Sequence, residues 1–420
     1  MAVSAPEKKY NAGVYSYTWQ NENLRVLVDH LAESSKGELT GEINAITTAP
    51  GRPGHVHWAR FNLTSTQGRN TVIKACSERL PELDWYAIIE QVCVFTMEKY
   101  REGEPVLPLG DKPEYTARRY RVYPLLLEGE PNLLYAPGKT GKSYLALYLG
   151  CLVQFNHVGI ANWIPESGNV LLLDYETSYR SYKQRCWAVM QGLDLNLEFD
   201  AKQRILYRRC YQPLPMEISN IQKLVIANKI DLVIVDSAGY ASGGDPNDAS
   251  IALSYYGALN SLKVTSLTLD HVSKNSLGEK TPFGSVYKTN SARNVWELQK
   301  NQEAGDEEYD LGVYHRAMND GMLLRPIGYH VKFTNDDDGN ALKVEFKIAN
   351  LADNAELSKG LSLTDRIANY LSKNGMSEVK DISEALSEDA NQVKSRLNEN
   401  KKRFKHFQDG WGLLVANSNE

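Results

Sequence analysis

The chain has 420 residues, of which 42% are hydrophobic and 24% are charged, with a formal net charge of −5. This length allows two or three domains with a proper core, and the composition is ordinary for a globular protein. The small negative charge excludes a global basic field, so any contact with nucleic acid must depend on local patches.

The cysteines and the first residues bear on the compartment. Five cysteines are scattered without a CxxC spacing, which argues for a reducing interior and against disulfides or a zinc site. The N-terminal residues are polar and lack the apolar segment of a secretory signal. The longest apolar run, from Leu145 to Phe155, is too short to span a bilayer. The sequence therefore predicts a cytoplasmic protein without membrane contact.

Residues 1–112 are predicted to form an N-terminal accessory domain of mixed or helical structure, together with a linker. Residues 1–16 are expected to be disordered, and residues 19–104 are expected to mix helical segments with turns. The segment at 84–97 begins with an acidic residue and carries apolar side chains at helical spacing, so it is predicted to be a helix. Residues 102–114 are rich in Pro, Gly and acidic residues, which is typical of a linker.

Residues 113–352 alternate short apolar runs with helical stretches. The predicted strands lie at 132–136, 169–175, 204–209, 231–236 and 265–271. The predicted helices between them lie near 142–155, 178–192, 216–228 and 247–262. Strands that are apolar throughout and separated by helices indicate an α/β domain with a mainly parallel sheet covered on both faces.

Further strands and a small helical domain are predicted after this region. Strand-like runs at 295–298, 309–315, 328–333 and 342–348 predict antiparallel strands appended to one edge of the sheet. Residues 353–420 are predicted to contain helices at 362–374, 379–387 and 390–403, followed by two short strands around Asp409 and Gly410. Three helices and a hairpin in this order are typical of a winged helix.

Residues 132–150 have the order of a phosphate-binding loop: an apolar strand, a Gly/Pro-rich turn and an apolar helix. The N–H groups and the dipole at the start of such a helix favour an anion. In this pattern Lys142 reaches the β- and γ-phosphates and the Ser143 hydroxyl binds Mg²⁺. The usual first glycine is Ala136 here, a small change, and a chance glycine-rich turn is the alternative. The predicted nucleotide-binding residues are Ala136, Pro137, Gly138, Lys139, Thr140, Gly141, Lys142, Ser143 and Tyr144.

A second ligand for Mg²⁺ is predicted at the end of the strand at 231–236. Asp236 follows an apolar run, where phosphate-loop chemistry needs a carboxylate near the metal. Many proteins carry an apolar run followed by Asp for structural reasons, so the assignment depends on its pairing with the phosphate loop. The next residue is Ser237, which disfavours an ATPase whose water-activating Glu directly follows this acid.

Hydrolysis also needs a carboxylate that orients water near the γ-phosphate. Glu176 follows the strand at 169–175, at the edge where α/β sheets place their ligands. The alternative is an acid at a helix start, stabilised by the helix dipole. Asp174 is expected to be buried or hydrogen-bonded. His271 ends the strand at 265–271 and is predicted to donate a hydrogen bond to phosphate, with a satisfied polar residue as the alternative.

The set formed by residues 136–143, Glu176, Asp236 and residues 271–274 resembles the RecA-type ATPases. The likeness is greatest to the RepA/DnaB-like branch of ring-forming replicative helicases and their plasmid- and phage-borne relatives, and it covers about residues 115–350. The resemblance implies a RecA-like fold, ATP and Mg²⁺ as cofactors and a homo-oligomer, as a hexamer. It also implies that Glu176 is the catalytic carboxylate and His271 the sensor of the γ-phosphate.

Members of this family also place a Lys/Arg pair in a late β-hairpin, where it reaches the γ-phosphate of the neighbouring subunit. The matching stretch here is 314–321, in which Arg316 alone keeps the charge and His315 stands beside it. The resemblance therefore implies that Arg316 is the catalytic residue supplied in trans. Arg293 is the competing candidate.

Contact with nucleic acid is predicted from local basic clusters. The loop at 273–282, with Lys274 and Lys280, would line the channel of a ring. A second small cluster at 118–121 precedes the ATPase region and is a candidate for a subunit edge. The third C-terminal helix is predicted to contact DNA phosphates, with a solvated basic face or a protein-binding surface as the alternative. Its basic residues are Lys394, Arg396, Lys401, Lys402, Arg403 and Lys405.

The leading hypothesis is an ATP-hydrolysing RecA-fold protein that acts on single- or double-stranded DNA in replication or mobile-element maintenance, as a ring and with helicase-like activity. The rival hypothesis is a non-translocating ATP switch, namely a DNA-binding regulator or assembly factor whose oligomerisation is controlled by nucleotide. Strand unwinding with a steep ATP dependence favours the first hypothesis. Slow turnover that single-stranded DNA does not change favours the second.

Overall fold

The computed structural model describes residues 3–414 except 12, 50, 52–53, 104, 112–118, 161–162, 196–203, 273–281, 283–285 and 320. The chain divides into two compact units. The first comprises Met1–Arg118 and Met216–Lys229, and the second comprises Arg119–Pro215 and Ile230–Glu420. A short stretch from the middle of the sequence thus belongs to the N-terminal unit.

The first unit contains an antiparallel sheet in the order β1-β2-β3-β4-β5, with two helices that follow it in the chain. Side chains along β4 alternate between buried and half-buried, as expected for a sheet with one face on a core. Trp19, Ile43 and Trp85 lie in that core. The elements are β1 (Glu7–Asn11), β2 (Val14–Trp19), β3 (Leu24–Glu33), β4 (Leu39–Thr47), β5 (His55–Asn62), α1 (Thr66–Arg79) and α2 (Trp85–Glu102).

Two expectations for this region are wrong. Residues 1–16 are not disordered throughout, because β1 and the start of β2 lie there. All five residues of β1 are exposed, so its sequence carries no apolar alternation, and backbone pairing with β2 holds it in place. The helical and turn-rich interpretation of residues 19–104 missed β3, β4 and β5. The helix predicted at 84–97 is confirmed as α2.

The second unit begins with short strands and continues with the alternating elements predicted for an α/β domain. One helix in this stretch of sequence, α5, lies for the most part in the first unit. The elements are β6 (Tyr120–Val122), β7 (Leu126–Leu127), β8 (Pro131–Ala136), α3 (Lys142–Phe155), β9 (Asn169–Asp174), α4 (Tyr179–Gly192), β10 (Leu206–Arg209), α5 (Leu214–Ala227), β11 (Ile230–Asp236), α6 (Ala238–Ser242), α7 (Ala249–Ser261), β12 (Thr265–His271), α8 (Val286–Ser291), β13 (Asn294–Asn301), β14 (Glu308–Met318), β15 (Ile327–Asn335) and β16 (Ala341–Ala349).

Nine of the described strands form one sheet in the order β10-β9-β11-β12-β8-β13-β14-β15-β16. Neighbours from β10 to β13 are parallel, and neighbours from β13 to β16 are antiparallel. This confirms the mainly parallel α/β sheet with antiparallel strands appended to one edge. The carboxyl ends of β8, β9, β11 and β12 meet at one edge, where His271 pairs with Ala136 and Asp236 pairs with Asp174.

Burial explains why these segments form the centre of the second unit. All six residues of β8 are buried, and Leu145, Leu149 and Leu152 of α3 join the same core cluster. A strand buried on both faces favours a continuous apolar run, and β8, β9 and β11 each contain one, at 133–136, 170–173 and 232–235. In the described part of the chain, no helix is both long and apolar enough to cross a membrane.

Helix α5 is joined to the first unit by an ion pair. Ile221 is fully buried on this helix. The Lys223 ammonium lies 2.8 Å from a carboxylate oxygen of Asp29 in β3, and this pair joins segments that are 194 residues apart in the chain. Such a contact between distant segments leaves no periodic signal in the sequence, so the helix was predicted but its membership of this unit was not.

The C-terminal segment has its own small core, formed by Ile367, Ile382, Leu397 and Phe404 among others. The predicted third helix ends four residues early, at Glu399, because the side-chain amide of Asn400 donates to the Arg396 carbonyl at the helix end. The elements are a 3-10 turn (Leu351–Asp353), α9 (Ala355–Ser358), α10 (Leu363–Asn374), α11 (Val379–Leu386), α12 (Ala390–Glu399), β17 (Phe404–Phe407) and β18 (Gly410–Leu413).

Candidate active site

The predicted phosphate-binding loop connects the end of β8 to the start of α3 at the carboxyl edge of the sheet. Ala136 is the last residue of the strand and is fully buried. Gly141 precedes the helix with a φ of 95°, and a Cβ on it would lie 2.4 Å from the Tyr309 hydroxyl, so both backbone and space require glycine. The first N–H groups of α3 have no acceptor within the helix, and such groups at a helix start favour an anion.

Lys142 lies in the first turn of α3 and is 7% exposed. Its Nζ donates to the carbonyl oxygens of Ala136 and Pro137, at 2.9 Å each, and lies 3.5 Å from Nδ1 of His271. Burial lowers the pKa of the Lys142 ammonium, and the Asp236 carboxylate opposes this. The carbonyl groups of the loop thus hold the Lys142 ammonium within the loop.

Ser143 and Asp236 form the second feature of the site. The Ser143 hydroxyl donates to Oδ2 of Asp236 over 2.6 Å, and the Tyr182 hydroxyl on α4 donates to the same oxygen. Asp236 is 3% exposed, and burial raises the pKa of its carboxyl while these two hydrogen bonds lower it. A hydroxyl and a carboxylate side by side are hard oxygen ligands, the donor type that Mg²⁺ prefers. These residues therefore fit the metal that the sequence predicts.

Glu176 lies in the turn between β9 and α4. Asp174, at the end of β9, accepts from the backbone N–H groups of Glu176 at 2.9 Å and Thr177 at 2.8 Å, which fixes this turn. Oε2 of Glu176 lies 3.8 Å from Nε2 of His271. The interaction with His271 lowers the pKa of the Glu176 carboxyl and burial opposes it, so this carboxylate is ionised at neutral pH.

These residues converge on one cleft of about 520 Å³. The loop and the strand ends form one wall, and the turn between β13 and β14 with the end of β15 forms the facing wall. Ala136, at the end of β8, and Pro137 and Gly138 of the loop do not line this cleft. The residues predicted for the site that line this cleft are Lys139, Thr140, Gly141, Lys142, Ser143, Tyr144, Glu176, Asp236 and His271.

Sequence reasoning missed the facing wall of the cleft. Tyr144 packs edge-to-face on Phe333 at 5.1 Å between ring centroids, Phe333 lies 5.8 Å from Tyr309, and the Arg185 guanidinium lies 5.8 Å from the Tyr144 ring. Phe333 and Tyr309 occupy strands whose alternation suggested only core positions. No local motif marks them, since they reach the cleft through strand order in the sheet.

Arg316 does not line the cleft of its own chain. It lies on β14 and its guanidinium is 2.7 Å from the carboxylate of Glu297, whose side chain is 3% exposed. His315 beside it is buried and stacked on Trp296 at 4.2 Å, and burial lowers its pKa to about 4. The competing Arg293 lies 3.9 Å from Glu130. Within one chain, neither arginine reaches the phosphate loop.

Two other predicted features have different outcomes. The loop at 273–282, with Lys274 and Lys280, falls outside the described residues apart from its last position. In the basic cluster at 118–121, Arg121 is buried and donates to Glu128 at 3.1 Å and to the Ser167 carbonyl at 3.1 Å. The Arg121 guanidinium is therefore paired with groups inside the second unit.

Comparisons with known proteins found one matching family model and similar solved structures. Residues 100–276 match the model of the AAA_25 family, described as an AAA domain. Among solved structures, a KaiC-like protein from the hyperthermophilic archaeon Pyrococcus horikoshii OT3 is similar, at 15% sequence identity and a TM-score of 0.39. That alignment covers 56% of this chain and 99% of the archaeal chain. No curated protein matches the chain.

The AAA-domain match spans the phosphate loop and the parallel strands from β8 to β12 that carry the site residues. The RecA-type ATPase class stays a proposal, supported by this loop and by the strand order of the sheet. The particular branch of replicative helicases stays a prediction, as does the winged-helix assignment of the C-terminal segment.

Proposed function

We propose that the chain binds ATP with Mg²⁺ in the cleft of the second unit and hydrolyses it. The observation that carries this proposal is the convergence of Lys142, the Ser143–Asp236 pair and the Glu176–His271 pair on one cleft. A cation, two oxygen ligands and an ionised carboxylate at a helix N-terminus are the groups that phosphoryl transfer to water requires.

Each group has a distinct part in the proposed reaction. Lys142 exchanges its two loop carbonyls for phosphate oxygens, and the amides at the start of α3 hold the remaining phosphate charge. Ser143 and Asp236 hold Mg²⁺, which when bound neutralises charge on the phosphate oxygens. Glu176 accepts a hydrogen bond from the attacking water and orients it. His271, between Lys142 and Glu176, donates to the γ-phosphate and connects its departure to the loop that follows β12.

We further propose that this ATPase acts on DNA in replication or mobile-element maintenance, as a ring-shaped homo-oligomer. Support on the DNA side comes from the three helices and hairpin at the C-terminus, an element order compatible with a winged helix. Exposed lysines surround the end of α12 and the start of β17, and Val393 and Leu397 anchor that helix to the core. These lysines are Lys394, Lys401, Lys402 and Lys405.

Removal of the C-terminal segment is expected to weaken DNA binding and to flatten its salt dependence. The cut belongs after Leu361, because Leu357 packs on Tyr314 of the ATPase sheet and should be kept. Each lost phosphate contact should lower the slope of log affinity against log salt by roughly 0.9 on duplex DNA. ATP hydrolysis without DNA should survive, since every proposed site residue lies upstream. Unchanged affinity and slope would indicate a protein-interaction module.

A narrower variant separates the basic surface from the fold of the segment. Arg403 is paired with Asp365 at 2.6 Å, so the substitution to Ala is best made at Lys401, Lys402 and Lys405. This variant should reproduce most of the loss in DNA affinity. Substitution of Lys373 and Lys380, which are exposed elsewhere in the same segment, removes two positive charges away from this surface and should have little effect.

Arg316 is proposed to complete the site of a neighbouring subunit. Arg316→Gln keeps a donor for the buried Glu297 carboxylate but removes the charge that would stabilise the transition state in trans. Such subunits should bind ATP normally and hydrolyse it slowly. Mixing them with Glu176→Gln subunits should restore part of the activity, because some interfaces then pair an intact Glu176 with an intact Arg316. A lack of rescue between subunits shown to exchange would count against a shared site.

The experiment that tests the proposed function is ATP turnover with and without single-stranded DNA, together with sizing in a non-hydrolysable ATP analogue. If the protein forms a DNA-acting ring, the analogue should shift it to a larger oligomer, and single-stranded DNA should raise its ATP turnover. Slow turnover that single-stranded DNA leaves unchanged would instead indicate a non-translocating ATP switch.

A further inference from the structure

Two tyrosines beside the cleft each donate a hydrogen bond to a buried aspartate. Tyr182 of α4 donates to Asp236, and Tyr207 of β10 donates to Asp174 over 2.7 Å. Their ring centroids are 5.9 Å apart. Both aspartates end neighbouring parallel strands, so the two contacts are alike in chemistry and differ in which carboxylate they reach.

The Tyr182 contact determines how the Asp236 carboxylate is presented. Oδ2 of Asp236 accepts from both Tyr182 and Ser143. An oxygen of a carboxylate offers about two lone pairs, so these two donors fill Oδ2. Tyr182 is 3% exposed, and its ring also contacts the Arg185 guanidinium, which lies 5.7 Å from the ring centroid. Burial restrains the Tyr182 hydroxyl, and its hydrogen bond in turn restrains the orientation of the Asp236 carboxylate.

We propose that Tyr182 is a positioning residue that holds Asp236 in the orientation needed to bind Mg²⁺ with the nucleotide. This inference rests on the proposed ATPase function. Tyr182 acts through Asp236, and because it fills Oδ2 together with Ser143, the lone pairs of Oδ1 are the ones left for the cation. Helix α4 begins three residues after Glu176, so the same contact ties the segment that carries the water-orienting carboxylate to the metal-side acid.

Tyr207 has a different task in spite of its similar contact. Asp174, its acceptor, holds the backbone N–H groups of Glu176 and Thr177. The Arg209 guanidinium also lies 3.3 Å from this carboxylate. Loss of the Tyr207 hydroxyl should therefore affect the turn that bears Glu176 and leave the metal-side acid in place. The two tyrosines form a matched pair for an experiment.

The test measures the affinity for a fluorescent, non-hydrolysable ATP analogue as a function of free Mg²⁺ and, separately, in EDTA. Tyr182→Phe should raise the Mg²⁺ concentration at half-maximal tightening by roughly 10- to 100-fold, the usual effect of removing a partner of a metal ligand. Its affinity in EDTA should equal that of the parent, since the phosphate loop is untouched. Tyr207→Phe should leave the Mg²⁺ midpoint unchanged.

The outcomes separate this inference from the proposed function. An unshifted Mg²⁺ midpoint in Tyr182→Phe overturns the inference, and so does an equal shift in Tyr207→Phe, which would indicate a general response to the loss of a phenol hydroxyl. If the parent binds no nucleotide in either buffer, the proposed function fails and the inference fails with it. Nucleotide binding with an unshifted midpoint overturns the inference alone.

A second variant covers the case in which Tyr182→Phe does not fold. Removing one donor leaves the buried Asp236 carboxylate under-satisfied, and this costs more for a charged acceptor than for a neutral amide. The double variant Tyr182→Phe with Asp236→Asn should then recover the parent's thermal unfolding temperature. Failure to recover it would show that the tyrosine serves packing in α4, and that result would overturn the positioning role.

Discussion

Glu176→Gln is expected to reduce ATP hydrolysis by roughly 10²-fold or more while ATP stays bound. The amide keeps the shape of the side chain and its place in the turn, which Asp174 fixes through two backbone hydrogen bonds. What is lost is the negative charge that orients water, and this charge is present at neutral pH because the contact with His271 lowers the carboxyl pKa. Steady-state phosphate release and equilibrium nucleotide binding measure the two effects separately.

A matched substitution controls for the general loss of a carboxylate. Glu166 is exposed and lies outside the cleft, so Glu166→Gln removes the same charge without touching the site. Its turnover should equal that of the parent. Hydrolysis at the parent rate by Glu176→Gln would show that Glu176 is only an acid at a helix start, and Asp174 would become the next candidate.

Lys142→Ala is expected to weaken ATP binding by roughly 30-fold or more, as a loss of at least ~2 kcal/mol for an unpaired buried charge implies. The ammonium is buried at the centre of the loop, where its interaction with phosphate is only weakly screened. The fold should persist, because the hydrogen bonds of the Lys142 ammonium go to loop carbonyls of Ala136 and Pro137 and to the His271 ring, and none of them holds a strand in the sheet. Calorimetric titration of the folded variant measures the change.

Lys139→Gln is the comparison for this substitution. Lys139 belongs to the same loop but is exposed, so solvent and salt screen its charge. Its loss should weaken binding much less than the loss of Lys142. Equal losses in the two variants would indicate a diffuse electrostatic attraction, and unchanged affinity in Lys142→Ala would contradict the phosphate-loop assignment.

The second unit was largely predictable because its strands are buried on both faces. Apolar runs such as those in β8 and β11 predict buried strands, and the residue at the end of each run falls at the carboxyl edge of a parallel sheet. The sequence pattern therefore predicted that Asp236, Glu176 and His271 lie near the phosphate loop. The antiparallel strands β13 to β16 were predicted from a different signal, namely short strand-like runs and the turn at 335–340.

The first unit was less predictable because its strands depend on pairing more than on composition. β1 is exposed along its whole length and is defined by backbone hydrogen bonds to β2, which no side-chain pattern records. β5 carries the exposed Trp58 and only two buried residues, Val56 and Phe61, so its alternation is weak. Elements whose order comes from a neighbouring strand are difficult to find in one sequence.

Within the site, contacts between distant segments were the part that the sequence did not show. Tyr182 and Asp236 are 54 residues apart, and Tyr309 reaches Gly141 across 168 positions. These side chains are set by the packing of α4 on the sheet and by strand order. Aromatic residues at such positions look like core in the sequence, and several of them are also core in the structure.

The measurement that tests the central claim most directly is Mg²⁺-dependent release of phosphate from γ-labelled ATP, with bound nucleotide determined in the same samples. The parent protein should release phosphate, Glu176→Gln should retain bound ATP and release almost none, and Lys142→Ala should bind little nucleotide. Phosphate release by Glu176→Gln at the parent rate, or nucleotide bound equally well by Lys142→Ala, would contradict ATP hydrolysis in this cleft.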